Sequence, residues 1–163
     1  MTPEELINLS LQYEAEIEAF TTIPAKRLLT FDFKGCSPLK TCRIPLYLAL
    51  HLQSLNLCSI IPPQYISKEY VENIIQKEKT ETNFVELPEY FFEHSTLFMN
   101  DEIESAICEL RSIRNSKIRK GLSNLDGKAL YITGLSKWEF NQFKDIIRKP
   151  MVFGKKIEEV EEE

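Results

Sequence analysis

The sequence lacks an apolar run long enough to cross a membrane, for which about 20 consecutive, mainly apolar residues are needed. Its most apolar stretch, residues 44–67, is interrupted by polar side chains and contains Pro62 and Pro63. The first twenty residues begin with acidic side chains and lack the basic and apolar regions of a signal peptide. We therefore expect an intracellular protein without a membrane segment.

Cysteine is scarce, with four residues at positions 36, 42, 58 and 108. Structural zinc sites usually place two cysteines two to four residues apart, and no pair in this chain has that spacing. His51 lies between Cys42 and Cys58, but nothing else in the sequence supports a zinc site. We expect four reduced, mostly buried thiols, and neither a metal nor another cofactor.

Sequence motifs of catalysis are also missing. The chain has no G-x-S-x-G, no phosphate-binding loop, no G-x-G-x-x-G and no H-E-x-x-H. Both histidines, His51 and His94, fall in apolar helical patterns, where a hydrogen-bonded core histidine is the commoner outcome. Asp32 and the scattered glutamates form no recognisable carboxylate pair. The sequence therefore predicts a protein that is not an enzyme.

The chain has no excess of positive charge. Its 163 residues carry a formal net charge of −5, and 43% of them are hydrophobic and 28% charged, as in folded globular proteins. The last six residues, EEVEEE, supply five carboxylates, so the remainder is close to neutral. No field of the whole chain would therefore attract nucleic acid or acidic lipid.

The first third of the chain predicts a small β-rich module with helices at its front and back. The apolar stripe of residues 3–20, which includes Ile17, predicts a helix. Pro45 begins a leucine-rich helix, and Pro62 and Pro63 end the last strand. Four short strands are predicted from β-branched and aromatic residues, in the segments AFTTIPA, RLLTFDF, TCRIP and LCSII.

After Pro63 the pattern becomes helical. Ser67 is predicted to cap a helix, and capping boxes at Asp101 and Ser136 precede two more. The last of these helices is predicted to run to Pro150. The sequence thus predicts an α+β fold with a small β-rich domain over residues 1–63, a mainly helical domain over 64–150 and an acidic tail over 151–163.

One positively charged segment, RSIRNSKIRK, contains no acidic residue. Arg111, Arg114 and Lys117 recur at three-residue intervals, which places them along one row of a helix. Such a row is a solvated helix face, a contact with an acidic partner, or a phosphate-binding strip. No tyrosine or tryptophan alternates with these charges, which disfavours a base-stacking platform.

Aromatic residues are abundant, and two segments concentrate them. The segment KWEFNQFKDII places Trp138, Phe140 and Phe143 on more than one face of a short helix, and EYFFEH contains the adjacent Phe91 and Phe92. A helix that is apolar on two sides is buried on both sides or binds a partner on one of them. Core packing alone and core packing plus an interface both remain open.

Several segments, taken in order, resemble one known family. They are FTTIPA, IPLYLALHL, CSIIPPQYI, QKEKTETNFVELPEYFFEHSTLFM and DEIESAICELRSIRNSKIRKGL. Together they resemble the family of second Psf-type subunits of GINS, the four-subunit complex of eukaryotic DNA replication. The resemblance runs from about Tyr13 to about Lys149, so it covers most of the chain but not the acidic tail.

The resemblance implies a helical A domain preceded by a small β-rich B domain, and no catalytic activity. It implies assembly in the nucleus with three sister subunits, the other Psf-type and Sld-type chains, mostly through A-domain helices. Through the complex it implies contact with the ring-shaped MCM helicase and with a DHH-phosphoesterase-like factor. The function expected is that of a non-catalytic scaffold subunit of the GINS heterotetramer, which supports the helicase in initiation and elongation.

The alternative from another class of protein is a stand-alone nucleic-acid-binding module that uses the β domain and the basic helix. Under the main hypothesis, DNA binding by the lone subunit is weak or absent. Two sets of residues are then predicted to have structural roles in assembly. The partner interface is expected at Phe91, Phe92, Arg111, Arg114, Lys117, Trp138, Phe140 and Phe143, and the junction between the domains at Pro45, Pro62 and Pro63.

Overall fold

A computed structural model describes residues 2–29, 31–123, 133–146 and 148. The chain divides into two compact units, residues 7–64 and residues 1–6 with 65–163. The fold is α+β, as the sequence predicts. Its elements are α1 (Pro3–Ser10), β1 (Glu14–Ala19), β2 (Lys26–Arg27), β3 (Asp32–Phe33), β4 (Thr41–Pro45), α2 (Leu46–Ser54), β5 (Cys58–Ile61), a 3-10 turn (Gln64–Ile66), α3 (Lys68–Thr80), α4 (Phe91–Leu97), α5 (Asp101–Ser123) and a last helical segment over 137–146, here α6.

The unit of residues 7–64 is built on an antiparallel sheet with strand order β4-β1-β5. In the central strand, Ala15, Ile17 and Ala19 are buried and alternate with glutamates. Ile17 lies opposite Cys42 on one side and Ile60 on the other. The predicted helix over 3–20 is therefore wrong beyond Ser10. In EAEIEA the apolar residues alternate with glutamates, as in a strand. This pattern outweighs the helix propensity of glutamate because β4 and β5 both pair with this segment.

The predicted strand RLLTFDF is also wrong as one strand, since its first residue lies in β2 and its last two in β3, and these two strands pair as a hairpin. Beside this hairpin, Ile23 and Cys36 form an isolated bridge. Cys36 and Cys42 are joined by a disulfide, so the prediction of four reduced thiols is wrong for this pair. The return of the chain from the bridge to β4 brings the two cysteines together. Cys58 is free and buried, and Cys108 is free and exposed.

Pro45 ends β4 and directly precedes α2, which buries Leu46, Ala49 and Leu52. The amide of Leu46 donates to the Tyr13 carbonyl at 2.8 Å, which ties the start of α2 to the segment before β1. Pro45 thus lies well inside the unit of residues 7–64, whereas Pro62 and Pro63 lie two positions and one position before its end. The role predicted for Pro62 and Pro63 as a junction stays a prediction.

The other unit has its core between α3, α4 and α5. Ser67 caps α3 as predicted, since its hydroxyl accepts from the Tyr70 amide. α5 is capped by Asn100, whose side-chain oxygen accepts from the Ile103 amide at 3.0 Å, and not by Asp101. The end predicted for the last helix at Pro150 lies outside the described residues. The buried core consists of Ile66, Val71, Ile74, Ile75, Phe91, Phe92, Ile103, Ala106, Ile107 and Leu110.

His94 is a core residue, as the sequence predicts. It is fully buried in α4, and its Nδ1 lies 2.6 Å from the Tyr65 hydroxyl oxygen. The Tyr65 and His94 rings are also stacked, with centroids 6.1 Å apart. These contacts give His94 a structural role.

Across the ranges described, no helix is both long and apolar enough to span a membrane.

Candidate functional site

The side chain of Arg114 is completely buried, and each of its five N–H donors has an acceptor. Nε donates to Glu139 Oε1 at 2.6 Å and Nη2 to Glu139 Oε2 at 2.9 Å. Nη1 donates to Glu78 Oε2 at 3.2 Å and to the Val85 carbonyl at 2.9 Å. Nη2 also donates to the Gly134 carbonyl at 2.8 Å. Arg114 therefore links α3, α5, α6 and two connecting segments.

Lys117, one helical turn further along α5, completes this cluster. Its ammonium donates to Glu78 Oε1 at 3.1 Å, to the Glu81 carbonyl at 2.7 Å and to the Asn83 carbonyl at 3.2 Å. Three donors thus meet three acceptors. Arg114, Lys117, Glu78 and Glu139 form what we call the buried ion cluster, with two positive and two negative side chains. The charges balance, which a buried ionic group requires.

Glu139 reaches this cluster because it belongs to the capping box predicted at Ser136. The Ser136 hydroxyl accepts from the Glu139 amide at 3.2 Å, and Glu139 Oε2 accepts from the Ser136 amide at 3.0 Å. The cap fixes the Glu139 carboxylate at the first turn of α6. One carboxylate therefore begins the helix and also holds it against α5.

Gly134 has a backbone conformation that only glycine adopts readily, with φ of +77°. A β-carbon at this position would lie 2.7 Å from the Phe84 carbonyl oxygen. The Phe84 ring in turn lies 5.0 Å from the Arg114 guanidinium carbon. This close approach of two connecting segments brings the Gly134 carbonyl within reach of Arg114.

Arg114 and Lys117 are thus not the surface row that the sequence predicts. The partner contact expected of Arg114 is replaced by internal ion pairs, because the residue has no exposed surface. The sequence contains a signal for this outcome. Arg114 lies on the apolar stripe of α5, between Leu110 and Ile118, and Glu78 continues the buried stripe of α3. Opposite charges on two facing apolar stripes indicate a buried ion pair.

Arg111, the remaining residue of the row, forms no ion pair with any of the described residues. Its guanidinium carbon lies 5.2 Å from the centroid of the Phe92 ring and 5.8 Å from the Trp138 ring. It makes no hydrogen bond to any of the described residues, and its Nε is buried without an acceptor. Two aromatic rings therefore contact a half-buried guanidinium that makes no hydrogen bond within the described part of the chain.

The five aromatic residues predicted at the interface separate into two groups. Phe91, Phe92 and Phe143 are buried within the chain and have no surface to offer a partner, so they belong to the core. Trp138 is half-buried against that core. Phe140 is 54% exposed, and Ile146 in the same helix, which is not among the residues predicted at the interface, is 56% exposed.

Glu93 is a buried carboxylate outside the ion cluster. Its Oε1 has no hydrogen-bond partner among the described residues. Burial raises the pKa of Glu93 above its ordinary value, while the charges of Lys137 and Arg111 act to lower it.

No group of three or more His, Cys, Asp or Glu residues that could hold a metal ion occurs in the part of the chain that the structure describes.

Comparisons with known proteins match this chain to one family. Residues 65–152, just over half of the chain, match the family model described as "GINS complex protein helical bundle domain". The chain is 31% identical to the probable DNA replication complex GINS protein PSF2 of Encephalitozoon cuniculi, over 98% of this chain and 97% of that protein.

Relatives from other organisms have similar descriptions. The DNA replication complex GINS protein psf2 of Schizosaccharomyces pombe is 32% identical, over 99% of this chain and 93% of that protein. The PSF2 protein of Homo sapiens is 27% identical over 67% of each chain. The chain therefore belongs to the Psf2-type family of GINS subunits, and the resemblance noted in the sequence is confirmed.

Proposed function

We propose that the chain is the Psf2-type subunit of a GINS complex that acts in DNA replication, and that it serves there as a scaffold without catalytic activity. The observation that carries this proposal is the extent of the match, which reaches 98% of the chain for a relative with that description. It includes both compact units. The partners proposed are the other Psf-type chains and the Sld-type chain.

The distribution of exposed apolar side chains supports assembly with other proteins. Phe140 and Ile146 are more than half exposed on α6 of the helical unit. In the β-rich unit, Phe20 and Leu55 are also more than half exposed. Exposed aromatic and aliphatic groups of this size are typical of the central part of an interface. We propose Phe140, Trp138 and Arg111 as contact residues on the helical unit.

The non-catalytic role is supported by how the polar groups are used. Arg114, Lys117 and Glu139 hold the helical unit together, and His94 bonds to Tyr65. We further propose that, within the complex, the subunit supports the MCM helicase ring together with a DHH-phosphoesterase-like factor, and that it acts in the nucleus. The β-rich and helical units would correspond to the family's B and A domains, with the junction at Pro62 and Pro63.

A stand-alone nucleic-acid-binding module is the less favoured function. It requires the row of Arg111, Arg114 and Lys117 to be available for phosphates. Arg114 and Lys117 instead use all eight of their donors internally. The positive charge left for nucleic acid on this row is that of Arg111.

Binding to a purified subcomplex of the three sister subunits tests the proposal. Phe140→Asp should raise the Kd roughly tenfold or more, since a charge would then enter an apolar contact. Gln76→Asp is the matched control, because it adds the same charge to an exposed position of another helix, α3, in the same compact unit. Equal binding by both variants would remove α6 from the interface. Failure of the unaltered chain to bind would contradict the proposed function.

A further inference from the structure

The outer surface of α5 contains an open groove of about 440 Å³. The residues that line it are Cys108, Arg111, Ser112, Asn115, Ser116 and Arg119. They are spaced at three and four residues, so they form one continuous face of the helix. Among the residues that the structure describes, the lining contains two arginines, three neutral hydrogen-bonding side chains and no carboxylate. This face is therefore complementary to negative charge.

Arg111 is the cation of this face whose guanidinium contacts two aromatic rings. Phe92 is a core residue and Trp138 packs against the core, so the two rings in contact with the guanidinium have fixed positions. Most arginine side chains lose considerable rotamer entropy when they bind a partner. A guanidinium already held between two rings loses less, and its planar donors suit a carboxylate.

The neighbouring cations of α5 show what Arg111 lacks. Arg114 has five hydrogen bonds and Lys117 has three. Among the described residues Arg111 has none, and the buried Nε is unpaired. Nε is the donor of Arg111 that is buried, so the remaining donors of this half-buried guanidinium are the ones that an acceptor from outside the chain can reach.

We propose that this groove binds an acidic side chain from a sister subunit, whose carboxylate accepts hydrogen bonds from Arg111, with Ser112 and Asn115 as neighbouring donors. The inference rests on the proposed function and names a site and a chemistry within it. A protein carboxylate suits the groove better than a nucleic-acid backbone. Its two arginines, eight residues apart, are separated by about 12 Å along the helix, and the chain as a whole is negative.

The test measures the Kd of the full chain for the purified subcomplex of the three sister subunits. Arg111→Gln should raise the Kd roughly tenfold or more, as expected when a desolvated charge pair loses one partner. Arg111→Lys, which keeps the charge without the planar donors, should have an intermediate effect. The matched control is Arg27→Gln, which removes an exposed arginine from the other compact unit.

A second variant guards against a folding defect in the first. Ser112→Asp alters an exposed position of the groove and places a carboxylate where the partner's would bind. It should weaken binding as strongly as Arg111→Gln while the melting temperature stays unchanged. Unchanged binding by both variants, with normal binding by the unaltered chain, would overturn this inference and leave the proposed function intact. No binding by the unaltered chain would overturn the proposed function.

Two further measurements distinguish other occupants. A chain that lacks residues 158–163 tests whether its own acidic tail fills the groove. If this deletion tightens binding and abolishes the effect of Arg111→Gln, the tail is the occupant and the inference is wrong. If Arg111→Gln weakens binding of a fluorescent DNA duplex but leaves the Kd for the subcomplex unchanged, the groove binds phosphate and the inference is also wrong.

Discussion

Glu139 accepts two hydrogen bonds from Arg114, at 2.6 Å from Nε and 2.9 Å from Nη2, while its own helix begins at the cap that it forms with Ser136. Both side chains are buried. A bidentate pair between a planar guanidinium and a carboxylate is directional as well as strong. Glu139 therefore acts twice: its cap with Ser136 marks the start of α6, and its pair with Arg114 holds α6 against α5.

Arg114→Met should destabilise the helical unit by about 3–5 kcal/mol, because Glu78 and Glu139 would remain buried without their main cation. Arg119→Met removes an exposed arginine of the same helix and should change the free energy of unfolding by less than about 0.5 kcal/mol. Urea denaturation followed by fluorescence of Trp138, the only tryptophan, reports on this unit. Equal stability of the two variants would contradict the role assigned to the buried ion cluster.

Alanine should have opposite effects at two glycines of the helical unit. Gly134→Ala should cost about 1–3 kcal/mol, since φ is +77° and the new β-carbon would lie 2.7 Å from the Phe84 carbonyl oxygen. Gly121→Ala lies in α5 with open space around its β-carbon, and it should stabilise by about 0.5–1 kcal/mol. Thermal unfolding of both variants measures the difference. Two changes of the same sign would show that the close approach at Gly134 is not required.

Tyr65→Phe should destabilise the helical unit by about 1 kcal/mol or more, because it removes the hydroxyl that lies 2.6 Å from His94 Nδ1. The matched control is Tyr70→Phe, whose hydroxyl makes no hydrogen bond to any described residue and whose loss should be nearly neutral. Urea midpoints of the two variants provide the comparison. If Tyr65→Phe is as stable as Tyr70→Phe, the structural role of His94 is not supported.

Glu93 should make stability fall as the pH rises. Its pKa is raised by burial above the ordinary value of 4.5, so the folded protein binds this proton more tightly than the unfolded chain does. The resulting stabilisation is complete below pH 4.5 and is lost as the pH rises through the raised pKa. Glu93→Gln should therefore be more stable than the parent at neutral pH, by about 1 kcal/mol.

The measurement for Glu93 is the free energy of unfolding across the acidic to neutral range. Its control is Glu86→Gln, which neutralises an exposed carboxylate nearby in the chain and should leave the pH dependence of stability unchanged. Stability curves with the same slope for Glu93→Gln and the parent would show that Glu93 does not contribute to the pH dependence.

Local sequence signals predicted much of this fold correctly. Ser67 and the Ser136 capping box mark helix starts, and the apolar pattern of the segment after Pro45 predicts α2, because in each case the necessary contacts lie within a few residues. β1 was mistaken for helix because its glutamates are good helix formers, and its pairing with β4 and β5 depends on residues about 30 and 40 positions further on.

The candidate site was harder to predict for the same reason. The positive charges of Arg111, Arg114 and Lys117 can be read from the sequence. Which of them form internal ion pairs cannot, because Arg114 and Lys117 pair with Glu78 and Glu139 on other helices, whereas Arg111 does not. The stripe position of Arg114 indicates burial, whereas the rings that hold Arg111 become evident only from the packing of α4 and α6.

The proposed role of this chain as a structural subunit of a four-chain assembly can be tested by size-exclusion chromatography with light scattering. The chain is measured alone and co-expressed with its three sister subunits. We expect one species that contains each chain once, and self-association of the lone chain through its exposed apolar residues. A monodisperse 19.0 kDa monomer that elutes apart from those subunits would rule out the proposed role.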